Sequence, residues 1–393
     1  MILNPEEKLI FLSSQINLNA QELKSLNDLI QEINDWSAYQ RLLALVGSAP
    51  LAYKNFQLVN ERGTIPRQIL TMLKERYSKV FFASSRKYFD FEPVVHTLNQ
   101  HGIDFVPLKG IYLALLLYKD IGLRPMSDID ILVRPKDLER SRQALLDLGW
   151  NYRPENKKSK FITQKLNWQH PYSFVLGSTT LELHDKFHSG LTSYKFNMDE
   201  CWDRVITINF LKGHAFRLND IDLLLHLSTH LCRHLENNKF NLKSISDIVA
   251  LLKNLQDELD WKQLIARCKK YNCLSEVREI FLICRKFFAV HINEDFIKDS
   301  EVISKTNYEL LFLNTFRNTK SKSGHKAVLT KNKNLNQLKG VNGIGNKFLF
   351  LLHDIFPASD FMIRHYNIKK RNLVYFYYPV RISHAIASIL KNW

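Results

Sequence analysis

Asp128 and Asp130 flank Ile129 in the stretch GLRPMSDIDILV (122–133), a spacing that could do chemistry. On a β-strand, residues i and i+2 point to the same face, so two carboxylates would stand side by side in an otherwise apolar run. Unpartnered, they repel each other and resist burial. An exposed edge strand or a turn cap would relieve that with no function at all. The functional solution is a divalent cation, which takes hard oxygen ligands. Two such ions about 3.5–4 Å apart activate an attacking oxygen and stabilise a leaving phosphate. A third carboxylate from a neighbouring strand would complete the site, and Glu182 in TTLELH (179–184) is the candidate. Leu181 and Leu183 would face the core while Glu182 and His184 share the other face. His184 there either orients Glu182 by hydrogen bonding or ends the strand in solvent. Upstream, FVPLKGIYL (105–113) reads as strand, glycine and helix start, so backbone N–H groups around Gly110 can meet a phosphate, and Lys109 adds a cation.

Positioning these groups needs an α/β nucleus, and the chain has the order for one. A strand (IDFVPLKG) and a helical segment (IYLALLLYKD) lead through IGLRPM into the strand SDIDILV. A helix opened by Pro135 and closed at Gly149 follows, then a hairpin, YSFVL, Gly177-Ser178, TTLELHDKF. We place this α/β core at 95–215. Residues 1–94 before it repeat apolar positions at helical spacing, with Asn19 as a cap and Pro66 at a helix start. Residues 216–316 read as four further helices, starting at DIDLLLHLSTHLCRHL. Residues 317–347 are lysine-rich and free of acids, a basic connector. In the tail, 348–393, aromatic and basic residues interleave, and Pro379 argues against one continuous helix.

Composition bounds the setting. With 393 residues, 45% hydrophobic and 12% aromatic, the chain can bury a large core. Its net charge of +16 favours anionic partners, or reflects a solvated basic surface. Five cysteines without paired spacing read as reduced thiols. The acids in MILNPEEKLIFLSSQ stand where a secretion signal needs bases, and no apolar run approaches the roughly 20 residues of a membrane span. The expectation is a soluble, cytoplasmic protein without a membrane partner.

The ordered set VPLKG, RPMSDIDILV and LELH resembles the DNA polymerase β-type nucleotidyltransferase superfamily. More closely, it resembles a bacterial family of uncharacterised nucleotidyltransferases. LLLHLSTHLCRHL with ISDI, and FPASDFMIRHY with YFYYPVRI, extend that likeness over most of the chain. The resemblance implies an α+β fold with an α/β core, a mixed sheet flanked by helical N- and C-terminal regions. It implies that an acceptor oxygen attacks the α-phosphate of a nucleoside triphosphate and pyrophosphate leaves. Asp128 and Asp130 would hold two Mg²⁺ ions, and Glu182 the ion that activates the acceptor. Gly110 would cradle the β- and γ-phosphates, with Lys109 and Arg124 neutralising their charge. Ser127, His184, His230 and His234 would border the nucleotide or acceptor. ATP is the expected donor only because it is abundant. The acceptor would be a small molecule, peptide or protein, with nucleic acid less favoured.

Two departures from the superfamily pattern stand out. Lys109-Gly110 occupies the place of the usual glycine-serine (Gly47-Ser48 is too far upstream), and Glu182 replaces the usual aspartate. They support a second reading, a catalytically weak nucleotide- or RNA-binding regulator on the same fold. Three other features have weaker chemistry. His226, His230 and His234 lie at i, i+4 and i+8 on one helical face, but with no fourth ligand a polar stripe facing a cleft is favoured over zinc. Asp247 can pair with a histidine or arginine, or cap a helix. The aromatics among bases at 366–381 can stack nucleobases or simply pack.

Overall fold

In the computed structural model, residues 3–59, 63–153, 172–188, 193–237, 242–256, 258–298, 307–318 and parts of 345–390 are described. The N-terminal region is helical: α1 (Pro5–Ser13), α2 (Ala20–Glu32), α3 (Trp36–Val46), α4 (Ala49–Val59) and α5 (Arg67–Gln100). Asn19 and Glu22 exchange side chain-to-backbone hydrogen bonds in a capping box that starts α2. Gly47, at φ 73°, closes α3, and Ser48 accepts a hydrogen bond from Ser14. The Gly47-Ser48 pair is a helix stop. Pro66 precedes α5, which runs through residue 94 without a break.

The sheet holds β1 (Phe105–Leu108), β2 (Ile129–Val133), β3 (Asn151–Arg153), β4 (Tyr172–Leu176) and β5 (Thr179–His184) in the order β1-β2-β5-β4-β3. β2 and β5 pair in parallel and every other pair is antiparallel. β2 is buried along its whole length, which explains its unbroken apolar residues around Asp130. The strand begins at Ile129, so Asp128 precedes it, a correction to the expected strand SDIDILV. A half-buried carboxylate outside the ladder keeps some of its hydration. Between β1 and β2 the chain forms α6 (Lys109–Leu113) and a π-helical turn (Ala114–Tyr118). After β2 comes α7 (Leu138–Asp147). A second hairpin, β6 (Ile206–Phe210) with β7 (Gly213–Arg217), has no counterpart in the sequence reading.

The C-terminal helices are α8 (Met198–Asp203), α9 (Asp220–Glu236), α10 (Leu242–Asn254), α11 (Trp261–Lys270), α12 (Leu274–Phe288), α13 (Glu294–Lys298) and α14 (Tyr308–Asn318). One continuous buried cluster links them to the sheet and to α1–α5. Phe11 of α1 sits among Phe287, Phe288, Phe312 and Phe316, with ring centroids 5.0–5.8 Å away. Ser246 of α10 donates to the Ser14 carbonyl at 2.8 Å. In the tail, Arg371–Phe376 is a 3-10 turn and Tyr377–Leu390 a helix that contains Pro379. The described stretch is thus not one continuous α-helix: it changes from 3-10 to α just before Pro379, which lies in the first turn, where a missing N–H breaks no helical bond. Residues 319–344 of the expected basic connector lie outside the described residues. Among the described residues no helix is long and apolar enough to cross a membrane.

Candidate active site

The parallel register of β2 and β5 sets Asp130 opposite Glu182 and Leu132 opposite His184. The antiparallel register of β1 and β2 sets Leu108 opposite Asp130, so the chain leaves β1 beside that carboxylate. Lys109, the next residue, takes a left-handed conformation at φ 51°, which costs a non-glycine residue about 1–2 kcal/mol. Its ammonium donates to Asp130 Oδ1 at 2.8 Å. His184 Nε2 lies 2.9 Å from the same oxygen and 3.5 Å from Glu182 Oε2. Asp130 is buried, whereas the Glu182 side chain is 29% exposed. Asp130, Glu182 and His184 each offer one ligand atom, all within 4.8 Å of one another, and no other such group occurs among the described residues. Asp128 stands beside this group, accepting the Ser127 hydroxyl at 2.8 Å.

The two aspartates differ electrostatically. Burial alone would raise Asp130, but the Lys109 charge and the His184 hydrogen bond hold it well below the usual carboxylate range. Asp128 is pushed up by burial and by the Asp130 charge, only partly offset by Ser127. His184 is raised despite its burial, because Asp130 and Glu182 accept from it. Lys109 is likewise raised against burial by Asp130. Two carboxylates and an imidazole that converge, with a third carboxylate adjacent, are a donor set that suits a divalent cation.

Arg124 is committed elsewhere. Its guanidinium donates to Asp247 through Nε (2.9 Å) and Nη2 (2.6 Å), and the Tyr118 hydroxyl donates to Asp247 at 2.7 Å. Arg124 and Asp247 are buried, so the loop before β2 is pinned to α10. Gly110 is required there: a Cβ would lie 2.5 Å from Arg124 Nη1 and 2.8 Å from Met126 Cβ.

The α9 histidines lie on one side of this centre. His226 is fully buried, its ring 4.9 Å from Phe187 and 6.0 Å from both His188 and His230, and neither of its nitrogens has a hydrogen-bond partner. His230 and His234 are half-buried, with centroids 4.4 Å apart. Burial, followed by the Lys109 charge, pushes His226 down to about 3 and His230 well below the usual histidine range. Three residues escape a sequence reading. Thr229 donates to the Leu225 carbonyl, so His188 Nε2–H donates to Thr229 Oγ1 at 2.9 Å, leaving the buried Nδ1 unpartnered. Lys87 and Lys243 are desolvated lysines, each lowered chiefly by burial against the opposing pull of the Asp128 charge. Lys87 comes from the middle of α5 and carries no local motif.

Residues 32–289 match the family described as uncharacterised nucleotidyltransferase. No curated protein matches the chain. Among solved structures, an antigenic nucleotidyltransferase-like protein from Paracoccidioides brasiliensis is similar over 49% of this chain and 93% of that one. Its identity is 15% and its TM-score 0.27, too slight a likeness to carry an argument.

Proposed function

The chain belongs to the uncharacterised nucleotidyltransferase family, and on that footing we propose that it transfers a nucleoside monophosphate from a triphosphate to an acceptor, releasing pyrophosphate. The acceptor group is a hydroxyl or phosphate on a small molecule, peptide or protein, and ATP is the proposed donor. The observation that carries the reading is the β2–β5 register, which sets Asp130 beside Glu182 with Asp128 next to them. Asp128, Asp130 and Glu182 are the proposed holders of Mg²⁺, which would supply charge stabilisation at the reacting phosphate and an activated acceptor oxygen. Lys109, with the Gly110 backbone at the start of α6, is proposed to face the outer phosphates, a role that draws its ammonium away from Asp130. Ser127 lies beside Asp128, where it limits the swing of that carboxylate. His230 and His234 are proposed to border the acceptor.

The test is incubation with α-labelled triphosphates, Mg²⁺ and a panel of candidate acceptors. Labelled product or pyrophosphate from the wild type, lost in Asp128→Asn with Asp130→Asn, supports transfer. Nucleotide binding with no turnover under any of these conditions points instead to a binding protein on the same fold.

A further inference from the structure

The trio expected to hold metal was three carboxylates, yet the trio whose atoms converge is Asp130, Glu182 and His184. One imidazole nitrogen, Nε2, lies within 2.9 Å of Asp130 Oδ1 and 3.5 Å of Glu182 Oε2. Neighbouring ligands of an octahedral ion with bonds of about 2.1 Å are separated by about 3 Å, so this spacing matches two edges of such a shell. A ring that served only to orient Glu182 would favour that carboxylate, but His184 Nε2 stands closer to Asp130. Asp130 already has a donor in Lys109, so it needs no second one to be held. His184 is itself anchored as the last residue of β5, buried and in register with β2.

From this geometry we infer that His184 is a direct metal ligand through Nε2, giving a mixed carboxylate–imidazole site that prefers Mn²⁺ or a later first-row ion over Mg²⁺. The inference rests on the proposed metal site and adds its donor set and cation class. Imidazole suits transition metals, whereas Mg²⁺ keeps to oxygen. Binding takes the neutral ring with Nε2 bare, so its single proton sits on Nδ1: an imidazolium gives its Nε2 proton to solvent, and a neutral Nε2–H ring changes tautomer with no net release. Lys109, the other cation on Asp130 Oδ1, gives way as the positive charge of the ion replaces its own.

The test is Mn²⁺ bound to the full chain, read by electron spin-echo modulation without nucleotide, alongside titrations with Mn²⁺ and Mg²⁺. The expected result is nitrogen modulation that changes with ¹⁵N-histidine labelling and disappears in His184→Gln. That variant is also expected to bind Mn²⁺ at least about tenfold more weakly, with a smaller change for Mg²⁺. Mn²⁺ bound with no histidine nitrogen, or with modulation that survives His184→Gln, would overturn the inference while leaving a carboxylate metal site standing. If neither ion binds, and Asp130→Asn changes nothing, both the inference and the metal site beneath it fail. Circular dichroism of His184→Gln guards against misreading a folding defect, and His184→Glu, which restores a ligand that suits Mn²⁺, is expected to recover Mn²⁺ affinity in part without the nitrogen modulation.

Discussion

Asp128 and Asp130 are two residues apart and electrostatically opposite. Asp130 is buried and doubly partnered by Lys109 and His184; Asp128 is raised by burial and by its neighbour's charge. Asp130→Asn strands a half-buried lysine and a buried histidine and is expected to cost about 3 kcal/mol of stability, whereas Asp128→Asn removes a repulsion and should cost nothing measurable. Both should lower nucleotidyl transfer about a hundredfold or more, several kcal/mol of barrier. Urea midpoints read beside turnover separate the two effects. His226 makes a pH prediction. Its folded pKa of about 3 lies below the ordinary 6.5, so as pH falls the unfolded chain takes the proton first. The stability it contributes is complete above 6.5 and drains as pH falls toward 3, by about 2 kcal/mol at pH 5. His226→Met, which also removes two unpartnered nitrogens, should leave stability at pH 7.5 equal or higher and flatten the loss by pH 5 in urea titrations.

Among the elements, the short path between β1 and β2 is held by one buried knot. Gly110 leaves room for Arg124, Arg124 forks onto Asp247 of α10, and the Tyr118 hydroxyl donates to the same Oδ1 that Arg124 Nε uses. Breaking the pair from one side leaves an uncompensated buried charge. Asp247→Ala should therefore cost about 3–5 kcal/mol, while Arg124→Met combined with Asp247→Leu should recover much of it. A double-mutant cycle by chemical denaturation checks both figures. Each residue of the knot stands out in the sequence, Arg124 in RPMSDIDILV and Asp247 in SISDI. Their pairing is not readable there, because 123 positions separate them and only the packing of α10 beside the loop brings them together.

At the scale of the molecule, a single buried cluster joins the N-terminal helices, the sheet and the C-terminal helices. Phe11 is the plainest example, an N-terminal side chain enclosed by four phenylalanines of α12 and α14. Phe11→Ala should cost about 3–5 kcal/mol. Because the cluster is shared, the variant should unfold in one transition, with far-UV dichroism and tryptophan fluorescence losing signal together. Separate transitions would mean that the helical flanks fold apart from the sheet.

The sequence by itself determined the parts. The apolar run around Asp130, the Gly177 turn and the alternation of TTLELH specify strands with Glu182 off the core face, since strand period and turn chemistry are local properties. Helix starts at Asn19 and Pro66 are local in the same way. What only the tertiary structure decided is which atoms meet. The parallel pairing of β2 with β5 has no local signature, yet it brings Asp130 to Glu182 and His184. Asp128 lies just outside β2, half-buried, where a carboxylate without the two partners of Asp130 keeps some hydration. Lys87, which feels the Asp128 charge, and His188, which packs beside His226, come from stretches whose spacing announces nothing, since nearness across the fold is set by packing.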